Sequence, residues 1–393
     1  MNLKIADTKA TELFKKFTES EKSGGLVLIG CTLISLFLAN SVFGVDYNEF
    51  WETPFAGHSL RHWINDGLMA IFFLLIGLEL EREIYLGELS KVKDALLPMF
   101  GAIGGMLVPA GLYLLFNYGT PVQSGIGIPM ATDIAFALGF LALLGKRVPI
   151  SLKIFLTALA VMDDLGAILV IAIFYTKTLI WSNLFIALGI WLALWTLGKL
   201  GVRNLLPYLI GGVAMWYFML NSGVHATITG VLLAFAIPFD RGDERSTSYI
   251  LQNALHIPVA FVIMPLFALA NTAIILSGDL VGILSQNYSL GIAAGLILGK
   301  PLGIFLLTLL AVTLGLCKLP KDLDWKSILG VGFLAGIGFT MSIFIALLAF
   351  SDQTVIDNAK IVIMISSLIA GSIGLLSLRV SLKDPEKVPN GAD

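Results

Sequence analysis

Charge is scarce in this 393-residue chain: Asp, Glu, Lys and Arg make up 13% of it, against 57% hydrophobic residues. Soluble globular chains carry about 25% charged residues. So little charge cannot cover a soluble globule of this size, and with a mean hydropathy of +0.89 the chain is expected to cross a membrane many times. Other absences narrow the function. Net charge is −2 with no basic block, which excludes a nucleic-acid footprint. Cysteine is limited to Cys31 and Cys317, which form neither a metal-ligand spacing nor a disulfide framework. No Gly-x-x-x-x-Gly-Lys loop followed by Ser or Thr occurs, so nucleotide hydrolysis is not expected to drive the protein. No other cofactor motif is present, and no enzyme is expected. The first apolar run, Gly24 to Gly44, is longer than the core of a signal peptide and follows a charged stretch, so it is read as a retained span.

What is present is a series of long apolar runs. With a ruler of about 20 residues per crossing, twelve spans are expected: 24–43, 62–82, 95–117, 124–144, 150–175, 179–199, 205–220, 223–239, 248–276, 288–314, 328–350 and 357–379. The fold class is all-α and polytopic. Residues 1–23 are expected to form a cytoplasmic segment, with Leu13, Phe14, Lys15, Lys16 and Phe17 suggesting a short interfacial helix. The transporter domain covers 24–380, and 381–393 form a cytoplasmic tail. Orientation follows the Lys/Arg bias of short loops. With the N-terminus inside, Arg61, Lys177 and Lys360 fall outside, Lys300 lies within the membrane, and the remaining Lys and Arg of the total of 25 are cytoplasmic.

Two spans read as broken. The fourth opens with Gly125-Ile-Gly-Ile-Pro-Met-Ala-Thr-Asp133 before turning helical, and the eleventh carries Gly330, Gly332, Gly336 and Gly338. Either alone is compatible with close packing. Both together, in corresponding places of the three-span units 95–175 and 288–379, point to two inverted repeats with a site near the midplane.

Four charges lie deep in these spans: Asp133, Asp163, Asp164 and Lys300. Each costs about 2.5–3.5 kcal/mol at a helix centre, and the four together on the order of 10–14 kcal/mol. Packing does not require such groups, so they mark an ion or proton pathway. Successive helical residues point about 100° apart, so Asp163 and Asp164 must divide their tasks. Thr157 shares a face with Asp164 and adds a candidate oxygen, with a packed hydroxyl as the plainer reading. Lys300 follows a ladder of Gly291, Gly295 and Gly299, with Gly303 one turn on. Such a track admits a neighbouring backbone closely, and a crossing beside the fifth span would pair Lys300 with an aspartate. Thr132 and Asp133 stand where a half-helix begins, so Asp133 is expected to compensate positive half-helix ends and Lys300 negative ones. An oxygen site of carboxylates and carbonyls suits a small alkali cation rather than a transition metal. Because carboxylates also bind protons, cation and proton compete for the same oxygens, which is sufficient chemistry for exchange.

Several stretches resemble the NhaA-type sodium/proton antiporter family of bacterial inner membranes. They are Trp63 to Glu79, Ile128 to Gly139, Asp163-Asp164-Leu-Gly-Ala, Ser222-Gly-Val-His-Ala-Thr227, Gly299-Lys-Pro-Leu-Gly303 and Gly336 to Phe344. The likeness covers roughly residues 22–380. It implies exchange of one Na+ (or Li+) for two H+, driven by the membrane potential and serving sodium and pH homeostasis. It implies Asp164 as principal site, Asp163 alternating between Lys300 and a proton, Thr132 and Asp133 at the crossing, and a homodimer formed partly through Val45 to Arg61. Two departures stand out. Where the family carries an acid and histidines, the stretch Leu251-Gln-Asn-Ala-Leu-His256 keeps one histidine and lacks the acid, and Glu81 stands where lysine is familiar; an altered pH profile is therefore expected. Glu79, Glu83 and His256 remain the pH-response candidates, with Asp66 as a further candidate; each is equally read as part of a helix end. His225 is read as structural.

Rival readings need other features. A sodium-coupled organic-acid symporter needs further polar substrate contacts, which the apolar fifth and tenth spans do not offer. An intramembrane aspartyl protease needs aspartates on separate helices in a Gly-x-Gly-Asp setting. A channel leaves a buried Lys300 unexplained.

Overall fold

The computed structural model describes residues 21–87, 90, 92–176, 178–240, 246–276 and 279–382. The interfacial helix expected before residue 21 and the tail from 383 onward lie outside the described residues. All twelve expected spans contain helix. The elements are α1 (Glu21–Ala39), α2 (Gly44–Glu52), a two-residue hairpin β1 (Pro54–Phe55) and β2 (His58–Ser59), and α3 (Leu60–Tyr85). Then follow α4 (Val92–Asn117), a 3-10 segment (Gln123–Met130), α5 (Ile134–Ala142), α6 (Ile150–Phe174), α7 (Trp181–Lys199), α8 (Leu206–Leu220) and α9 (Ile228–Ala234). The chain continues through α10 (Thr247–Asn271), α11 (Leu280–Leu284), α12 (Asn287–Thr313), α13 (Trp325–Ala335), α14 (Phe339–Ala349) and α15 (Gln353–Ser381).

Among the described residues, eight helices are long and apolar enough to cross a membrane, or ten when each bent pair is joined. The protein is therefore a multi-pass, all-α membrane protein. The expected span 223–239 is the one that shrinks most. Its helix is only Ile228–Ala234, because Gly223 turns the chain with φ +87° against the Thr178 carbonyl and Pro238 follows the helix.

Helices α4, α5, α6 and α12 to α15, with the 3-10 segment, form one bundle. A second bundle is built from α3, α7, α8, α9 and part of α10, around a separate apolar cluster containing Leu78, Leu194, Tyr208, Met215 and Ala234. Helix α1 packs on both α5 and α10 and so bridges the two. Lys146 and Arg147 between α5 and α6, Lys153 in the first turn of α6 and Lys199 at the end of α7 mark one end of the bundle by chain order, hereafter the basic side; the β1–β2 loop marks the other, the hairpin side.

The glycine ladder of α12 corrects one expectation. Its neighbour is α4, the third span, and not the fifth. A Cβ on Gly303 would stand 2.1 Å from the Gly104 carbonyl, one on Gly299 2.8 Å from Pro109 Cα, and one on Gly291 2.6 Å from Asn117 Nδ2. The spacing of glycines reveals which face is bare, and nothing in it says which helix covers that face. Lipid tails are as apolar as the side chains, so van der Waals closeness at such tracks is what holds these helices together. A π-helical turn at Gly295–Gly299, just before Lys300, adds a local widening to the same helix.

Gly303→Ala is expected to destabilise the protein by about 1–3 kcal/mol, since backbone must shift to admit the methyl group. Gly30→Ala meets nothing within 4 Å and is expected to be neutral. Thermal unfolding of the two purified variants checks the pair; equal midpoints would refute the close α4–α12 contact.

Candidate functional site: a crossing of two broken helices

Backbone that leaves helical geometry inside hydrocarbon must find partners within the protein. Here two such breaks supply one another. The fourth span is 3-10 helical to Met130, extended at Ala131 and Asp133, and α-helical from Ile134. The eleventh is bent by 48° between α13 and α14. They touch where the Asp133 amide donates to the Ile337 carbonyl at 2.7 Å. The Ser342 hydroxyl donates to the Ile128 carbonyl at 2.7 Å, and the Phe339 amide to Ser367 Oγ at 3.1 Å. On the hairpin side the 3-10 segment is fixed by two buried tyrosines. Tyr113 donates to the Val122 carbonyl at 2.6 Å and Tyr175 to the Ser124 carbonyl at 2.7 Å.

Asp133 is the N-cap of α5, as expected from its position, and accepts from the Phe136 amide at 3.1 Å. It also does something unforeseen. Its other oxygen accepts from the Thr340 amide at 3.1 Å and from the Thr340 hydroxyl. One carboxylate thus caps both half-helices, where each N-terminus presents about +0.5 of a charge. Lys300 faces the opposite polarity. Its ammonium donates to the Met130 carbonyl at 2.6 Å, at the end of the 3-10 segment, to Thr132 Oγ1, and to Asp163 Oδ2 at 2.8 Å.

The ion pair expected for Lys300 is therefore present, and its aspartate is Asp163. Thr132 Oγ1 lies 2.8 Å from Asp163 Oδ2 and 2.9 Å from the Ala335 carbonyl, tying the pair to both broken spans. Thr132, Asp133, Asp163, Asp164 and Lys300 are each at most 1% exposed. Among the described residues, neither oxygen of Asp164 has a hydrogen-bond partner, nor does Asp163 Oδ1. The roughly 100° between adjacent residues explains the split: Asp163 is turned to Lys300, and Asp164 to a cavity.

That cavity, of about 610 Å³, is lined at its deep end by Thr132, Asp133, Thr157, Asp164 and Met341. Its mouth carries Glu79, Arg82, Glu83, Gln252, Asn253 and His256, so it opens toward the basic side. His256 Nδ1 lies 4.0 Å from Glu79 Oε1. About one turn beyond Met341 on α14, Phe344 packs with its ring centroid 5.5 Å from that of Phe73 and 6.3 Å from that of Phe267. The remaining candidates lie elsewhere. Asp66 is paired with His62 Nδ1 at 3.1 Å on the hairpin side, and His225 Nε2 lies 3.1 Å from the Tyr175 carbonyl oxygen, a structural contact.

The family model described as Na+/H+ antiporter 1 matches residues 15–378. Among curated relatives, a protein named Na(+)/H(+) antiporter NhaA from Flavobacterium psychrophilum is 72% identical, covering 96% of this chain and 98% of its own length. Na(+)/H(+) antiporter NhaA 1 of Flavobacterium johnsoniae is 62% identical over 95% and 98%, and the Dechloromonas aromatica Na(+)/H(+) antiporter NhaA is 57% identical over 94% and 96%. The chain belongs to the NhaA Na+/H+ antiporter family. It is a transporter and not an enzyme, and its substrates are Na+ and H+.

Two contacts in this antiporter went unread in the sequence. Thr340 sits inside an apolar run and has no signal of its own, since its partner is 207 residues away. Glu81, singled out only as an acid where the family carries lysine, is buried, 3.4 Å from Ser248 Oγ on α10. A charged residue within one turn of a predicted span end is normally assigned to water, and only the position of α10 reverses that assignment.

Lys300→Ala leaves Asp163 as an uncompensated buried charge and is expected to destabilise the protein by about 3–5 kcal/mol; replacing both residues, as Lys300→Ala with Asp163→Asn, is expected to recover much of that loss. Thermal melts of the single and double variants test this. Additive losses would mean that the two groups are not energetically coupled.

Proposed function

We propose that this antiporter moves cytoplasmic Na+ (or Li+) out across the bacterial inner membrane in exchange for external H+, with Asp164 as the principal site for cation and protons. The observation that carries the reading is the pair of unpartnered, buried Asp164 oxygens at the bottom of a cavity open to one side, next to an aspartate already neutralised by Lys300. A carboxylate in low dielectric is poorly stable as a free anion. It is relieved by a cation or by a proton, and the two exclude one another.

In the proposed cycle Na+ entering from the basic side, taken as cytoplasmic from the loop charges, displaces the proton of Asp164, while Asp163 gives up a proton of its own and pairs with Lys300. On the external side two protons, one on each aspartate, expel Na+ and part Asp163 from Lys300. Two protons per sodium make the cycle electrogenic; a membrane potential contributes about 2.3 kcal/mol per net charge per 100 mV. Thr132 and Asp133 support the crossing, and Thr157 offers an oxygen along the entry route. Glu79, Glu83 and His256 at the mouth are proposed to tune the response to cytoplasmic pH. Residues 1–23 and 381–393 are proposed to be cytoplasmic. A homodimer is proposed through the hairpin-side loop, where Val45, Phe50 and Phe55 are exposed.

The test uses everted vesicles or proteoliposomes with a luminal pH dye, to which Na+, Li+ or K+ is added. The wild type is expected to give a cation-induced pH change with Na+ and Li+, faster under an imposed potential, and Asp164→Asn and Asp163→Asn to abolish it. A wild type silent at every pH from 6 to 9 would sink the proposed cycle; retained exchange in Asp164→Asn would move the site elsewhere.

A further inference from the structure

Two of the four histidines in the chain meet on the hairpin side, apart from the exchange site. His58 is exposed in β2, and its ring stacks on that of His62, in the first turn of α3, with centroids 4.2 Å apart and planes at 24°. His62 Nδ1 lies 3.1 Å from Asp66 Oδ2, one turn further on, so Nδ1 carries the hydrogen of the neutral ring and donates it. Nε2 is then a bare lone pair; it is buried and has no hydrogen-bond partner among the described residues. His58 also meets Trp63 edge to face, with centroids 6.2 Å apart. The Trp63 indole donates to the Phe55 carbonyl of β1 at 2.8 Å and stacks on Trp216 of α8 at 5.8 Å. Each strand of the hairpin is thus held to α3 by a ring, β2 by His62 and β1 by Trp63.

This arrangement suits uncharged rings. Histidine takes up a proton between about pH 8 and pH 5. The proton that charges His62 falls on Nε2, where no acceptor among the described residues meets it, and charge on both rings sets two cations face to face. Asp66 favours a charged His62, but the neutral ring already donates to it. The other charges around the stack are paired or in water. Helix α2, which packs on the first turn of α3, carries Asp46 and Glu49, both exposed, and Glu52, which is held by Arg61 at 3.2 Å. Helix α8 and the Met264–Asn271 part of α10, which also meet residues 63–68, carry no charged side chain. Opening the hairpin parts the two rings and hands Nε2 to water, so the open form binds more protons than the closed one.

We propose that His58 and His62 form an acid-labile clasp, which holds the β1–β2 hairpin on α3 at neutral and alkaline pH and lets go when the hairpin side turns acid. Because the open form binds more protons, the closed form has its full stability above the histidine range and loses it as pH falls through that range. The clasp stands on the side from which protons are proposed to enter, and so responds to the supply of that substrate. The consequence for assembly rests on the dimer reading above: two copies are proposed to meet through this loop, and release of the hairpin then weakens their contact.

Hydrogen exchange on the purified protein tests the clasp. The reporter is the Leu60 amide, which closes the loop by donating to the Thr53 carbonyl at 3.1 Å. Its protection factor, corrected for the intrinsic pH dependence of exchange, is expected to fall by about tenfold or more between about pH 8 and about pH 5.5, since uptake of one proton changes an equilibrium by up to about tenfold per pH unit. His58→Phe keeps a ring against His62 but takes no proton, and is expected to hold protection within about twofold over the same range. Equal protection of the wild type at both pH values, or an equal fall in His58→Phe, would overturn the proposal. His58→Gln, also without a titrating group, keeps the question answerable if the phenylalanine variant does not reach the membrane, and is expected to lose the pH response as well. Size-exclusion chromatography of the same samples reads the dimer separately. A hairpin that opens in acid while the dimer persists would support the clasp and count against pairing through this loop.

Discussion

The Lys300 ammonium is the group on which the centre of this structure depends. A chain that breaks two helices within hydrocarbon exposes amides at one set of ends and carbonyls at the other, and each orphan group must be answered from within the protein. Lys300 answers the carbonyl end at Met130 and holds Thr132 and Asp163 in the same stroke. Asp133 answers the amide ends of α5 and α14 together. Neither residue can be exchanged for an apolar one without leaving both backbone and charge unsatisfied. The bare glycine track along α12 follows from this arrangement, because α12 must lie against α4 for its lysine to reach the crossing.

Fixing Asp163 has a consequence for its neighbour. With the ammonium committed to one carboxylate, Asp164 accepts from no group among the described residues, at the bottom of a cavity. The half-helix ends around it, by contrast, are met by Asp133, Thr132 and Lys300. In the proposed cycle, this carboxylate is the group for which small cation and proton compete. On the proposed cycle, the adjacent Asp163 doubles the exchangeable charge without needing a second cavity, since its own partner is a lysine that can let go.

Much of this was legible in the sequence, for identifiable reasons. Span positions could be read because hydrocarbon thickness imposes a length on every apolar run, and all twelve stretches contain helix. The breaks at Gly125–Asp133 and Gly330–Gly338 could be read because residues that form helix poorly, clustered inside an apolar run, mark where the helix is interrupted. The Lys300 pair was expected because an unpaired charge there is too costly. What escaped was pairing between distant segments. Glycine spacing told which face of α12 was bare but not that α4 covered it; Thr340 gave no hint that it met Asp133; and Glu81 gave none that it met Ser248. Length and periodicity describe one helix at a time, and these three errors all concern a neighbour.

The asymmetry of the two ends bears on how exchange can be driven. On the basic side the two bundles are separated by a cavity with acidic and basic groups at its mouth; on the hairpin side Phe344 packs against Phe73 and Phe267 across the same seam. Parting those rings would expose apolar surface to water at about 25 cal/mol per Å², so on the proposed cycle opening that end has a cost that the ion gradients must offset.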